Sequence, residues 1–275
     1  MYKLIAIDLD GTLLNDEKQV PKENIDLVNE LIEAGYEVVF ATGRRYLAAK
    51  EFIDCFKHDL VIIANNGNMV RHTEDDRLLH AQYLDMGQLE YVLTEGKRLG
   101  IHPVIHVNKF EEGVDMVCEL PKDHACYHDY VEFEDRCQQV DDFLREDLKI
   151  LSIVYLGDQS RLAALNNKIV ENYPKEYTSY LMENIFLAEA LLEVVNPNSG
   201  KWKSVLNYAR TRGIGPDEIV AIGDDSNDIE MVREAGLGIG MKNGVEGLRK
   251  VADRVTEFTN NDSGLALELR GLLSL

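Results

Sequence analysis

The chain has 275 residues, 45% hydrophobic and 28% charged, enough to bury one large core or a core with a second lobe. With 29 Lys and Arg against 49 Asp and Glu, its formal net charge is −20. Such a surface repels nucleic acids and anionic membranes and excludes both as expected partners, and no apolar run reaches the ~20 residues that span a bilayer.

In chain order, Lys3–Ile7 predicts a short buried strand that runs straight into Asp8 and Asp10. Those two charges interrupt the apolar run and leave no signal-peptide pattern. Pro21 predicts a helix start, Ile25, Val28, Leu31 and Ile32 recur at helical spacing, and Gly35 predicts the stop. Tyr36–Ala41 predicts a second strand ending in Thr42-Gly43-Arg44; a helical segment and a third strand, Leu60–Ala64, follow. Asn65-Asn66-Gly67-Asn68 predicts a tight turn into an antiparallel excursion at Met69–His72.

From Tyr83 to Ala190 the texture becomes acidic and polar, with Lys149–Leu156 reading as a strand and Arg161–Tyr173 as a helix. The first pattern then resumes. Asp217–Gly223 reads as a strand, Asn227–Ala235 as helical, Leu237–Met241 as a strand, Val245–Ala252 as a helix, Arg254–Thr256 as an edge strand and the tail as a final helix. Short apolar strands alternating with helices predict an α/β fold: a Rossmann-like, three-layer α/β/α core of residues 1–82 and 191–275. The α+β lobe, residues 83–190, is expected as an insertion.

The four cysteines, Cys55, Cys118, Cys126 and Cys137, form no CxxC pair, which predicts reduced thiols in a cytoplasmic protein. His124-Ala-Cys126-Tyr-His128 lacks the second ligand pair of a structural zinc site.

Asp8-Leu9-Asp10-Gly11-Thr12 carries the first chemistry. A calcium loop would need Gly at its sixth position, where this chain has Leu13. Parallel α/β sheets bind ligands beyond the carboxyl ends of their strands. Residues two apart on an extended chain point the same way, so Asp8 and Asp10 are expected to face one reacting group. Gly223-Asp224-Asp225-Ser226-Asn227-Asp228 again follows an apolar strand. If both clusters meet, like charges ~4 Å apart repel by about 4 kcal/mol at an effective dielectric of about 20. Such a cluster raises pKa values or binds a cation, and an all-oxygen set suits Mg²⁺. Thr42 and Gly43 offer a hydroxyl and N–H groups to phosphate oxygens, and Lys201 offers a cation to both the phosphate and the carboxylates.

These residues resemble the haloacid dehalogenase-like superfamily of phosphatases: DLDGT at 8–12, Thr42, Lys201 and GDDSND at 223–228 occur in the family's order. ATGRR at 41–45, the NG turn at 66–67 and the ending ADRV…NNDSGLALEL are similar to the Cof-type subgroup, in which a large α+β cap is inserted between the second and third motifs. The resemblance implies that Asp8 is a nucleophile forming an aspartyl-phosphate and that Asp10 is the acid and then the base. It implies Mg²⁺ held by Asp8, the Asp10 backbone carbonyl and Asp224, and phosphate held by Thr42, Gly43 and Lys201 with help from Asn227. Asp228 is implied as a partner of Lys201 or of metal-bound waters, and Asp225 as a weaker metal candidate. Asp10 must be protonated for the first step, so its pKa is expected to be raised by its acidic neighbours.

Trp202 stands where the family has Gly after the lysine, and Asn68-Met69 where a small residue follows the NG turn. Core packing is the favoured reading of Trp202. Arg44, Asn66, Gly67 and Trp202 are the candidate substrate-site residues. His102, His106 and Tyr155 are read as ordinary surface and core residues of the lobe. The implied function is a Mg²⁺-dependent phosphatase acting on a small phosphorylated metabolite, sugar phosphates first. A phosphotransferase or mutase using the same aspartyl-phosphate and a non-enzymatic phosphometabolite-binding protein are the alternatives. The sequence carries no sign of an oligomeric state.

Overall fold

Leu4–Ile7 (β1) is wholly buried in the computed structural model, which describes residues 1–56, 58–131, 135–183 and 188–273. A strand covered on both faces is apolar at every position, so LIAI does not alternate. Helix α1 (Lys22–Glu33) starts directly after Pro21 and stops before Gly35, whose φ of 88° suits a residue without Cβ. Next come β2 (Glu37–Ala41), α2 (Tyr46–Ile53) and β3 (Val61–Ala64). The turn Asn65–Gly67 has Asn65 and Asn66 at φ 49° and 52°, which asparagine tolerates. It reverses the chain into the antiparallel strands β4 (Met69–His72) and β5 (Leu78–Ala81).

The chain divides into two compact units, Met1–Ala81 with Gly200–Leu275, and Gln82–Ser199. The second unit contains α3 (Met86–Arg98), β6 (Val104–Lys109), β7 (Val114–Cys118), β8 (Cys137–Gln139), β9 (Ile150–Gly157), α4 (Gln159–Asn172), β10 (Thr178–Glu183) and β11 (Ala190–Val195). Its sheet order is β10-β11-β9-β6-β7-β8. Ile105 and Val107 of β6 share a core with Leu89 of α3 and Leu165 of α4, while Val104 joins Met116 and Tyr127 in a second cluster. That alternation is the period of a strand with a different core on each face. The expected boundaries shift for the same reason. Ala190–Val195 pairs with β9 and β10, so the first unit resumes at Gly200 and not at 191, and Gln82 falls in the second unit.

The first unit is completed by α5 (Lys201–Thr211), β12 (Ile219–Gly223), α6 (Ile229–Glu234), β13 (Leu237–Gly240), α7 (Glu246–Val251), β14 (Arg254–Val255) and α8 (Gly264–Leu273). Its sheet order is β14-β13-β12-β1-β2-β3-β4-β5, with every pair from β14 to β3 parallel. Leu4 and Ala6 pack with Val205 of α5 and Met231 of α6. Ile5 and Ile7, one residue out of step, point to the opposite face; α1 packs on β2 and α8. The unit is therefore a three-layer, Rossmann-like α/β/α fold. No helix among the described residues is long and apolar enough to cross a membrane.

Candidate active site

From β1 the chain lays β2 and β3 on one side, and after the second unit it returns to lay β12, β13 and β14 on the other. The winding direction thus switches between β1 and β12, and the crevice beyond their carboxyl ends is where open α/β sheets bind ligands. Asp8 follows β1 and its N–H donates to the Ile222 carbonyl at 3.0 Å, extending the pairing to the crevice. Asp224 follows β12. Glycines allow the close approach: a Cβ on Gly11, which sits at φ 73°, would collide with the Asp224 carboxylate, and one on Gly223 with Asp228.

Lys201 opens α5 and is buried between two carboxylates, its Nζ 2.7 Å from Asp8 Oδ1 and 2.7 Å from Asp228 Oδ1. Asp228 Oδ2 accepts the N–H groups of Asp224 (3.1 Å) and Asp225 (3.2 Å). Ligand atoms of Asp8, Asp224 and Asp228 all lie within 4.8 Å of one another, the one such group of metal-capable side chains among the described residues. A single ammonium does not neutralise three carboxylates. Burial and the charge of Asp228 push the Asp8 carboxyl well above the usual range despite Lys201. Burial and Asp228 likewise raise Asp224 to about 7. Burial alone would lower the Lys201 ammonium, but the charges of Asp228 and Asp8 outweigh it and raise it.

This donor set fits a hard divalent cation. Asp228 has both oxygens engaged, whereas Asp8 and Asp224 each keep an oxygen uncommitted among the described residues. The oxygen-only chemistry suits Mg²⁺. Asp225 stands apart, exposed, its carboxylate capping the next turn through the Ser226 N–H at 2.6 Å.

Asp10 departs from expectation. The chain turns after β1 (Leu14 N–H to the Leu9 carbonyl, 2.8 Å), so Asp10 is no longer in an extended run with Asp8. Its carboxylate takes Arg44 Nε at 2.6 Å and Nη2 at 2.7 Å, and Lys18 Nζ at 2.7 Å. Partial burial alone would raise this carboxyl. The hydrogen bonds and charges of Arg44 and Lys18 outweigh burial and lower it to about 2, opposite to the expected direction. Arg44 also lies 4.6 Å above the Phe52 ring.

Thr42 is buried; its Oγ1 accepts the Arg44 N–H at 3.1 Å and its carbonyl accepts the Asn66 N–H at 3.0 Å. Asn227 Nδ2 donates to Asn66 Oδ1 at 2.9 Å, and a Cβ on Gly43 would stand 3.2 Å from the same oxygen. The structure thus gathers Gly43, Asn66 and Asn227. The buried Asn227 Oδ1 has no partner among the described residues. Gly67 serves packing: its carbonyl accepts from Ser204 Oγ at 2.6 Å, and a Cβ there would strike the Gly200 carbonyl. Trp202 lies in the core with Leu4 and Val39, not in the crevice, because successive helix residues point about 100° apart.

The sequence reading missed two contacts. Thr12 Oγ1 donates to Asp224 Oδ1 at 3.2 Å, and Lys18 pairs with Asp10. Thr12 at least sits inside DLDGT, whereas nothing marks Lys18 in its polar surroundings. In the second unit, His106 is buried between Tyr130 (3.0 Å) and Ser152 (3.1 Å), and the Tyr155 hydroxyl donates to the Val92 carbonyl at 3.1 Å. His124 Nδ1 accepts the Cys126 N–H at 3.2 Å, a local turn contact.

A family model described as haloacid dehalogenase-like hydrolase matches residues 5–269. YcsE of Bacillus subtilis, a 5-amino-6-(5-phospho-D-ribitylamino)uracil phosphatase, is 28% identical over 98% of this chain and 94% of that protein. YwtE of the same organism, named for the same activity, is 27% identical over 99% of this chain and 98% of that protein. The solved structure of a haloacid dehalogenase-like hydrolase from B. subtilis shares the fold, with a TM-score of 0.80 at 24% identity, covering 98% of this chain and 99% of the other.

Proposed function

The chain belongs to the haloacid dehalogenase-like hydrolase family, and from that premise we propose that it is a Mg²⁺-dependent phosphatase of small phosphate monoesters working through an aspartyl-phosphate on Asp8. The observation that carries the reading is Lys201, buried between Asp8 and Asp228 with Asp224 beside them at the switch point of the sheet.

Asp8 attacks phosphorus, forming an Asp8–O–P bond as the ester P–O bond breaks, and Asp10 gives a proton to the departing alcohol. Water then attacks the acyl phosphate, Asp10 takes its proton, and inorganic phosphate leaves with Asp8 restored. Held ionised by Arg44 and Lys18, Asp10 is set for the second of these steps. For the first step it needs a proton, which an entering phosphate favours by drawing Arg44 toward a second anion. Lys201 offsets the charge that would otherwise keep the phosphoryl group away from Asp8. Thr42, Gly43 and Asn227 orient the phosphate. Mg²⁺, held by Asp8, Asp224 and the Asp10 backbone carbonyl, supplies further positive charge against the phosphoryl oxygens when bound.

The substrate class follows YcsE and YwtE, which are named as phosphatases of a compound whose phosphate is carried by a ribityl chain. We take a phosphorylated sugar or polyol as the substrate and residues 82–199 as the unit that recognises it. A cytoplasmic location is part of the same reading, supported by four cysteines that are all free.

The test is phosphate release from p-nitrophenyl phosphate and from a panel of sugar, polyol and nucleoside phosphates, with Mg²⁺ and with chelator. Release that requires Mg²⁺ and falls by about 10³ or more in Asp8→Asn is the expected result. Full activity in Asp8→Asn would sink the mechanism.

A further inference from the structure

The loop that leaves the nucleophile strand has three of its carbonyls held by asparagines from three distant parts of the chain. Asn243 Nδ2 donates to the Gly11 carbonyl at 2.8 Å, Asn24 Nδ2 to that of Leu13 at 2.8 Å, and Asn260 Nδ2 to that of Leu14 at 3.0 Å. Each acceptor is a carbonyl, which cannot donate, so it is the amide nitrogen that must face the loop. Asn24 is fully buried and its Oδ1 has no partner among the described residues. An apolar side chain of the same shape would avoid burying that oxygen, so the residue is explained by the one bond it donates.

Asn243 and Asn260 are also joined to each other, and the loop of Asn243 to the end of β12. Asn243 Oδ1 accepts the Asn260 N–H at 3.0 Å, and Asn260 Nδ2 reaches Asp16 Oδ1 at 3.0 Å. Asn261 closes a reciprocal pair with Asp16, taking its N–H at 2.9 Å and donating to its carboxylate at 2.8 Å. The loop carrying Asn243 is fastened to the end of β12, with the Met241 N–H on the Gly223 carbonyl at 2.9 Å and the Val245 N–H on the Asp224 carbonyl at 2.8 Å. Asn243 therefore ties the backbone beside Asp10 to the backbone of Asp224.

We propose that Asn24, Asn243 and Asn260 are positioning residues that hold loop 9–14 beside the point where the Asp8 and Asp224 carboxylates converge; what that convergence does rests on the phosphatase reading above. The loop has turn bonds of its own, from the Leu13 N–H to the Asp8 carbonyl at 3.2 Å and from the Leu14 N–H to the Leu9 carbonyl at 2.8 Å, but Gly11 at φ 73° is its freest residue, and fixing the Gly11 carbonyl limits rotation of the Gly11–Thr12 peptide. A misplacement of about 1 Å at a reacting centre costs up to about 10²-fold in rate.

The test uses Asn243→Ala, whose exposed position leaves folding secure, and Asn260→Asp, which keeps shape but loses the donor. Hydrogen exchange of residues 8–18 is read in the metal-free, full-length protein, Mg²⁺ affinity by calorimetry, and kcat and KM with p-nitrophenyl phosphate. The expected results are exchange about 10-fold faster at residues 8–18, Mg²⁺ affinity about 3-fold to 10-fold weaker, and kcat about 10-fold lower with KM nearly unchanged. Asn243→Gln, which keeps the donor, should recover part of each loss. Unchanged exchange at residues 8–18, or unchanged Mg²⁺ affinity, in both Asn243→Ala and Asn260→Asp overturns the proposal. Faster exchange and weaker Mg²⁺ binding in a protein whose wild type releases no phosphate would uphold the positioning role and overturn the phosphatase reading alone.

Discussion

The two units bury polar groups in opposite ways. In the second, His106 lies between Tyr130 and Ser152, the Glu95 carboxylate meets two cations, Lys168 and Arg98, and the Tyr155 hydroxyl meets the Val92 carbonyl. In the first, Asp8, Lys201 and Asp228 come from distant segments to one end of one sheet, and one ammonium faces three carboxylates. Satisfied buried polar groups specify packing. An excess of buried charge needs something from outside, and such strained electrostatics mark a working site. The difference supports the first unit as the seat of the proposed chemistry.

Lys201→Met should break that contrast most severely. It strands two buried carboxylates and should cost about 3–5 kcal/mol in urea unfolding besides abolishing phosphate release. The loss should be smaller at pH 5, where Asp8 takes a proton more readily. A stable, active Lys201→Met protein would contradict the charge balance drawn above. Gly11→Ala comes next, because a Cβ there is strained at φ 73° and collides with Asp224. It should weaken Mg²⁺ binding about 10-fold and lower stability by about 1–2 kcal/mol; calorimetry and urea titration read both.

A pH series sharpens the comparison further. The Asp224 carboxyl, near 7, lies above the ordinary range, so the native metal-free state binds its proton more tightly than the unfolded chain does. Stability of the metal-free protein should therefore fall as pH rises from the ordinary carboxyl range to about 7. Mg²⁺ needs the ionised form, so the rise in Tm on adding Mg²⁺ should be larger at pH 8 than at pH 5.5. Equal shifts at both values would remove Asp224 from the metal site. The smallest effect belongs to the second unit: Tyr155→Phe should cost about 1 kcal/mol of stability and leave kcat on p-nitrophenyl phosphate within about 2-fold.

Much of the first unit was legible because its signals are local. An apolar run such as LIAI or IVAIG reads as a buried strand wherever it occurs, and the aspartates that follow it necessarily sit at the strand's carboxyl end. The order of DLDGT, Thr42, Lys201 and GDDSND therefore marks Asp8, Lys201 and Asp224 as candidates from the chain alone. The sheet that Ala190–Val195 joins was not legible, because its pairing with β9 and β10 is a contact between distant segments. Trp202 was legible as a large apolar residue beside a lysine, and the helix turns it about 100° away from that lysine, into the core.

The sequence by itself determined which groups are candidates for the chemistry and that Asp8 and Asp224 lie at strand ends, since both depend on residues adjacent in the chain. Only the tertiary structure decided their charge states and their supports. Asp10 is ionised because Arg44 and Lys18 fold onto it, and the carbonyls of Gly11, Leu13 and Leu14 are held by Asn243, Asn24 and Asn260. A carboxyl's pKa and a carbonyl's partner are set within a few ångströms of space, and the chain supplies Arg44, Asn243 and Asn260 from places far from the loop in sequence.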